Sequence, residues 1–154
     1  MITVLAAIRP DSWNFPLFVH VLGAMILVGG LLTGASAIAF ARGDARFLRL
    51  GYWTLLLVAL PGYIVMRIGA QWIYSKEGWD DLPDEAIPAW IDIGYIIADA
   101  GALLTLIALI LGGIGVRRLG SGGGTGLLKA AMVIAWIVLA AALVAVWAMS
   151  GKPD

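Results

Sequence analysis

The sequence predicts an all-α membrane protein, a single integral domain over residues 1–154 built as a bundle of four transmembrane helices. Hydrophobic residues make up 62% of the chain and charged residues 13%, whereas soluble domains have roughly 45–50% and about 25%. A soluble protein of 154 residues could not bury this excess, so lipid must be part of its solvent. In addition, four apolar stretches each reach the roughly 20 residues that a helix needs to cross a bilayer.

Short connections separate the four predicted spans, which cover residues 14–41, 51–74, 89–116 and 126–149. Near the centre of the second span, Pro61 is followed by Gly62. A proline inside a helix removes one backbone hydrogen bond and crowds the carbonyl four residues earlier. The sequence therefore predicts that the second span is kinked at Pro61.

Small residues recur at helical spacing in the first span, at Gly23, Gly30 and Gly34. Lipid tails provide no hydrophobic drive between helices, so such residues mark faces where two backbones approach closely. The pattern is compatible with packing inside one bundle or with a dimer seam. Packing inside the bundle is the favoured interpretation.

The charges of the connections predict an orientation. Residues 42–49 and 117–129 contain six of the ten basic residues, whereas residues 77–85 contain five acidic ones. Basic residues beside short connections mark the cytoplasmic side of a membrane. We therefore expect the acidic connection and both termini outside, in the plasma membrane of a bacterium.

Composition argues against several classes of function. Ten basic residues are balanced by ten acidic ones, which disfavours nucleic-acid binding. The absence of cysteine excludes disulfides, thiolate catalysis and iron–sulfur ligation. A zinc site usually needs three or four protein ligands, so His20, the one histidine, is a weak metal candidate and the metal is unknown. The sequence shows no nucleophile–base pair of the kind that indicates an enzyme, so a non-enzymatic protein is favoured.

Ionisable residues inside the spans indicate a site, because each costs about 2.5–3.5 kcal/mol to insert. His20, Arg67 and Asp99 lie in three different spans, each about 10–15 Å inside the predicted outer boundary. Other polar residues share their helical faces at about 100° per residue. The candidates for a ligand site or polar core are His20, Tyr63, Arg67, Gln71, Asp92, Tyr95 and Asp99.

The permanently charged Arg67 is expected to pair with a carboxylate, first that of Asp99 and second that of Asp92. Two interpretations of the candidate residues remain open. In one, the Arg67–Asp99 pair is a structural link and His20 is a bystander. In the other, the residues line a small polar cavity in the outer half of the membrane.

The segment FVHVLGAMILVGGLLTGASAIAFARGD resembles the first helix of an uncharacterised family of small predicted four-helix integral membrane proteins. That family is loosely similar to copper-resistance D-like membrane domains. The shared features are an early histidine, a small residue four positions later and a Gly-Gly about ten positions later, here His20, Ala24 and Gly29-Gly30. The resemblance covers about a quarter of the chain. It implies a four-helix bundle and a haem or metal role for His20.

Three functions follow as alternatives. The first is a non-enzymatic accessory or structural membrane protein whose partner is a homo-oligomer or a membrane complex. The second is a redox module that binds b-type haem or a quinone near His20, with Met25, Met66 or the partner subunit's His20 as the other haem ligand. The third is a proton or ion carrier that works as an oligomer, with His20, Asp99 and Arg67 as its relay. The cofactor is unknown from the sequence, with haem b as one alternative.

Overall fold

The computed structural model describes residues 11–152 and contains four segments that are helical, apolar and long enough to cross a membrane. In chain order the helices are α1 (Asn14–Ala39), α2 (Ala45–Thr54), α3 (Leu60–Lys76), α4 (Ala89–Arg118) and α5 (Thr125–Gly151). The second segment is formed by α2, the π-helical turn Leu55–Ala59 and α3. Large apolar side chains such as Met25, Ile110 and Leu143 point outward. This confirms the predicted all-α four-helix bundle and fits an integral membrane protein.

The second segment begins earlier than its predicted membrane-crossing part. The chain turns at Arg42 and Gly43, which both have positive φ, and the side chain of Asp44 then accepts a hydrogen bond of 2.7 Å from the backbone nitrogen of Arg46. Such a cap satisfies one of the free N–H groups at a helix start. Arg46 and Arg49 therefore belong to the first turns of α2 rather than to a loop.

The distortion in the second segment lies just before Pro61. The N–H of Leu60 bonds to the carbonyl of Leu55, five residues earlier, instead of the usual four. Because Pro61 has no N–H, the preceding turn loses a donor. The π turn, a rare element that occurs as a single turn inside α-helices, lies directly before this position. The interruption thus lies beside the residue where a kink was expected, while the bend itself stays a prediction.

The helices pack as two pairs, α1 with α3 and α4 with α5, which join through α1 and α5. By contrast, α3 and α4 barely touch. We call the end with the turns at residues 40–44 and 119–124 the basic end, and the end with the connection 77–88 the acidic end. Leu31, Leu48 and Leu128 are completely buried toward the basic end, so the bundle is solid there. The separation of α3 and α4 leaves space toward the acidic end.

Glycines permit the close approach of α1 to the second segment. A Cβ atom on Gly30 would lie 2.7 Å from the backbone nitrogen of Ala59, and one on Gly23 would overlap the backbone of Met66. Neither backbone could yield without separating the helices. The small-residue face of the first span is thus used inside the bundle, which confirms the favoured interpretation.

Candidate functional site

An ion pair links the two helices that are otherwise apart. Arg67 Nη2 on α3 lies 2.9 Å from Asp99 Oδ1 on α4, which confirms the predicted pairing with Asp99 in preference to Asp92. The Arg67 guanidinium also lies 4.5 Å from the centre of the Tyr95 ring. The side chains of Arg67 and Asp99 are 31% and 65% exposed. The pair therefore lies near the surface of the bundle, not at its centre.

Further side-chain bridges run beside this pair. Tyr63 Oη donates a 3.3 Å hydrogen bond to the carbonyl of Ala98, and Tyr95 Oη donates a longer one of 3.4 Å to Gln71 Oε1. The six residues of these bridges, here called the polar seam, are Tyr63, Arg67, Gln71, Tyr95, Ala98 and Asp99. Polar side chains, and not packed backbones, therefore close the gap between α3 and α4.

A cavity of about 90 Å³ lies behind the polar seam, with walls from α1, α3, α4 and α5. Its polar lining residues are His20, Tyr63, Arg67 and Tyr95. The tertiary structure thus brings these four candidates to one cavity. Gln71 and Asp99 do not line the cavity; they belong to the polar seam beside it. Asp92 is exposed and belongs neither to the lining nor to the ion pair.

The imidazole of His20 is held by a main-chain carbonyl. Its Nδ1 lies 3.0 Å from the carbonyl oxygen of Met66. A carbonyl only accepts hydrogen bonds, so Nδ1 is the donor of this pair. In a neutral imidazole, Nε2 is then the nitrogen that can accept a hydrogen bond. This contact leads to the backbone of α3 and not to Asp99, so it does not form the predicted relay. No side-chain pattern could have predicted Met66 as the partner, because the accepting group is backbone.

Arg67 has donor capacity that the ion pair does not use. Its Nη1 is buried and has no hydrogen-bond partner among the described residues. An unsatisfied buried donor loses its hydration without replacement, which costs more than the average hydrogen bond contributes. Since Arg67 lines the cavity, a ligand with an acceptor oxygen could satisfy this group.

Helix α5 forms a wall of the cavity that the sequence did not predict. Ala142, Ala145 and Met149 line it, and the methyl group of Met149 occupies the place of the missing side chain at Gly94. Small residues of this kind also occur wherever two helices pack closely, so the alanines of the fourth span carry no separate sequence signal for a cavity.

The site does not fit the metal and haem alternatives. Within residues 11–152, the described side chains include no group of three or more His, Asp or Glu that could hold a metal ion. The cavity of about 90 Å³ is well below the roughly 300–1,000 Å³ of pockets for larger ligands, and a haem macrocycle belongs with the latter. Met25 is 68% exposed and is not part of the lining, although Met66 is.

Comparisons of this chain with protein-family models, with curated proteins and with solved structures give no match. The resemblance of the first span to copper-resistance D-like membrane domains therefore stays an expectation. The function has to be inferred from the geometry of the site.

Proposed function

We propose that the protein is a non-enzymatic accessory membrane protein that binds the ring of a quinone-type lipid in the cavity behind the polar seam. The observation that carries this proposal is that Arg67, whose Nη1 is a donor without a partner among the described residues, and His20, whose Nδ1 is already held by the Met66 carbonyl, line the same apolar cavity. A neutral imidazole held in this way has Nε2 left to accept a hydrogen bond. A quinone carbonyl accepts a hydrogen bond, whereas a quinol hydroxyl also donates one. Both redox forms of the ring would find a partner there.

The charge of the site favours a neutral ligand head. Asp99 already neutralises Arg67 at 2.9 Å, so a carboxylate or phosphate would bring an uncompensated negative charge into a poorly hydrated place. A carbonyl oxygen can use the free N–H group without adding charge. The size of the cavity, about 90 Å³, suits one ring or the end of a chain.

The proposal also places the site in the outer half of the membrane. At the basic end, the first connection has Arg42, Arg46 and Arg49 in or beside it, and the third follows Arg117 and Arg118. Such residues favour the cytoplasmic side of a membrane. The acidic end, which is nearer to the cavity, then faces outward.

Quinone binding can be measured on the purified protein in lipid nanodiscs, with a benzoquinone that has a ten-carbon alkyl tail as the probe. We expect saturable binding, followed by quenching of tryptophan fluorescence. His20→Phe removes the imidazole, which is the proposed acceptor, and Arg67→Lys keeps the positive charge but loses the forked donor. Each change should weaken binding of the quinol or quinone form, respectively, by about tenfold. Asp92→Asn, outside the cavity, is the matched control and should bind normally.

Two further probes test the head and the tail separately. Decanol has the chain without the ring, and decanoate has the chain with a charged head; both should bind much more weakly than the quinone. The proposal is wrong if no probe binds saturably. It is also wrong if decanoate binds as well as the quinone and neither variant alters binding.

A further inference from the structure

The outward side of the polar seam contains a charged group that lipid alone would solvate poorly. The side chain of Asp99 is 65% exposed, and Arg67 contacts it through Oδ1. Asp99 lies about 15 Å along α4 from Ala89, at 1.5 Å per residue, which is deeper than a short carboxylate can reach back to the headgroups. A carboxylate is costly at this depth unless a donor covers it.

We infer that a second copy of this chain covers the polar seam, in a dimer whose twofold axis runs along the membrane normal. In each copy a positive group on α3 and a negative group on α4 lie at the same depth. A rotation of 180° places the partner's α4 opposite α3, and the partner's α3 opposite α4. Each Asp99 then faces the positive side of the other pair. The charge order is thus self-complementary, as a twofold interface requires.

Apolar residues surround the ion pair on the same surface. Ile96 and Leu103 are 67% and 62% exposed and lie three residues before and four after Asp99, on one helical face. Ile64 and Ile68 are exposed beside Arg67 on α3. In the dimer, this apolar border would keep lipid and water away from the four charges of the two Arg67–Asp99 pairs.

Other surfaces of the bundle lack this combination. The small residues of α1 are already used against the second segment. The outward face of α5, with Leu143 and Trp147, is apolar, and contact with lipid is favourable for such a face. Of the surfaces formed by residues 11–152, the polar seam is the one that combines depth with opposite charges. The dimer does not depend on quinone binding, so each proposal can fail without the other.

Cysteine cross-linking tests the dimer directly, because the chain has no cysteine of its own. Ile96→Cys and Leu103→Cys place a thiol on each side of Asp99. Leu143→Cys is the matched control, since Leu143 is 56% exposed on α5 and lies at a similar distance from the acidic end. Under mild oxidation in native membranes, we expect at least one of the first two variants to form a disulfide-linked species of twice the chain mass. The control should remain monomeric.

The charge requirement is tested in the cross-linking background. Arg67→Leu together with Asp99→Leu removes both charges, so neither charge is left without its partner. This double change should slow cross-linking by about tenfold. An unchanged rate would overturn the inference. Equal cross-linking of the control, the absence of any dimer, or a cross-link to a protein of different mass would overturn it as well. The comparison of single-cysteine variants remains decisive even if the double variant does not fold.

Discussion

At the scale of single residues, Arg67 combines two contacts with a further buried donor, which another cation could not do. Its guanidinium pairs with Asp99, lies over the ring of Tyr95 and keeps Nη1 buried at the cavity. A planar group with several fixed donors can do this, whereas the ammonium of lysine acts as a point charge. His20 complements it, because the Met66 carbonyl determines which ring nitrogen holds the hydrogen.

The ion pair makes a prediction about stability. Asp99→Leu leaves Arg67 without its counter-ion and should lower the free energy of unfolding by about 2 kcal/mol. This lies between the values of exposed pairs, below about 1 kcal/mol, and of fully buried ones, about 3–5 kcal/mol, because the pair is 31% and 65% exposed. Arg67→Leu combined with Asp99→Leu should recover much of the loss. Unfolding in SDS, followed by circular dichroism, measures both; a double variant as unstable as the sum of the single ones would contradict the prediction.

At the scale of elements, the packing of α1 against the second segment determines where the bundle is dense. Glycines on both sides of this contact let the backbones meet, as Gly30 does at Ala59 and Gly62 does at Leu27. The π turn Leu55–Ala59 lies in the same region. In contrast to this close contact, α3 makes little backbone contact with α4, and the side chains of the polar seam bridge the two helices.

Two adjacent glycines in α1 test this packing. A Cβ atom on Gly30 would lie 2.7 Å from the backbone of Ala59, whereas one on Gly29 would meet nothing within 4 Å. Gly30→Ala should therefore destabilise the protein by about 1–3 kcal/mol, the usual cost of overpacking. Gly29→Ala makes the same change of residue type and should leave the stability unchanged or slightly higher. The same SDS unfolding assay applies, and equal effects at the two positions would refute the packing argument.

At the scale of the whole molecule, the two ends of the bundle differ in charge and in density. Toward the basic end, arginines lie in one turn and at the neighbouring helix ends, and leucines such as Leu48 and Leu128 are buried. Toward the acidic end lie the cavity and the polar seam. Because the site lies toward the acidic end, the orientation of the protein determines the side of the membrane nearer to the site.

Orientation can be measured with single cysteines in the connections. Ala86 and Ser121 are both exposed, at the acidic and the basic end respectively. In intact cells, a membrane-impermeant thiol reagent should label Ala86→Cys and not Ser121→Cys, because basic connections favour the cytoplasm. After the cells are permeabilised, both variants should react. The reverse labelling pattern would show that the orientation is wrong.

Much of this protein was determined by the sequence itself. The four apolar helices and the pairing of Arg67 with Asp99 could both be predicted. Bilayer thickness and the cost of an unpaired charge in lipid act on local composition and on position along a helix. Both are properties of one helix at a time, and the sequence shows them directly.

Only the tertiary structure decided which helices pack together and what the polar residues contact. The separation of α3 from α4, the Met66 carbonyl at His20 and the wall from α5 all depend on how each helix is rotated and inclined against its neighbours. The same dependence leaves Asp92 outside the site, although its helical face predicted otherwise. Those rotations are determined by backbone contacts such as Gly30 with Ala59, which join residues far apart in sequence.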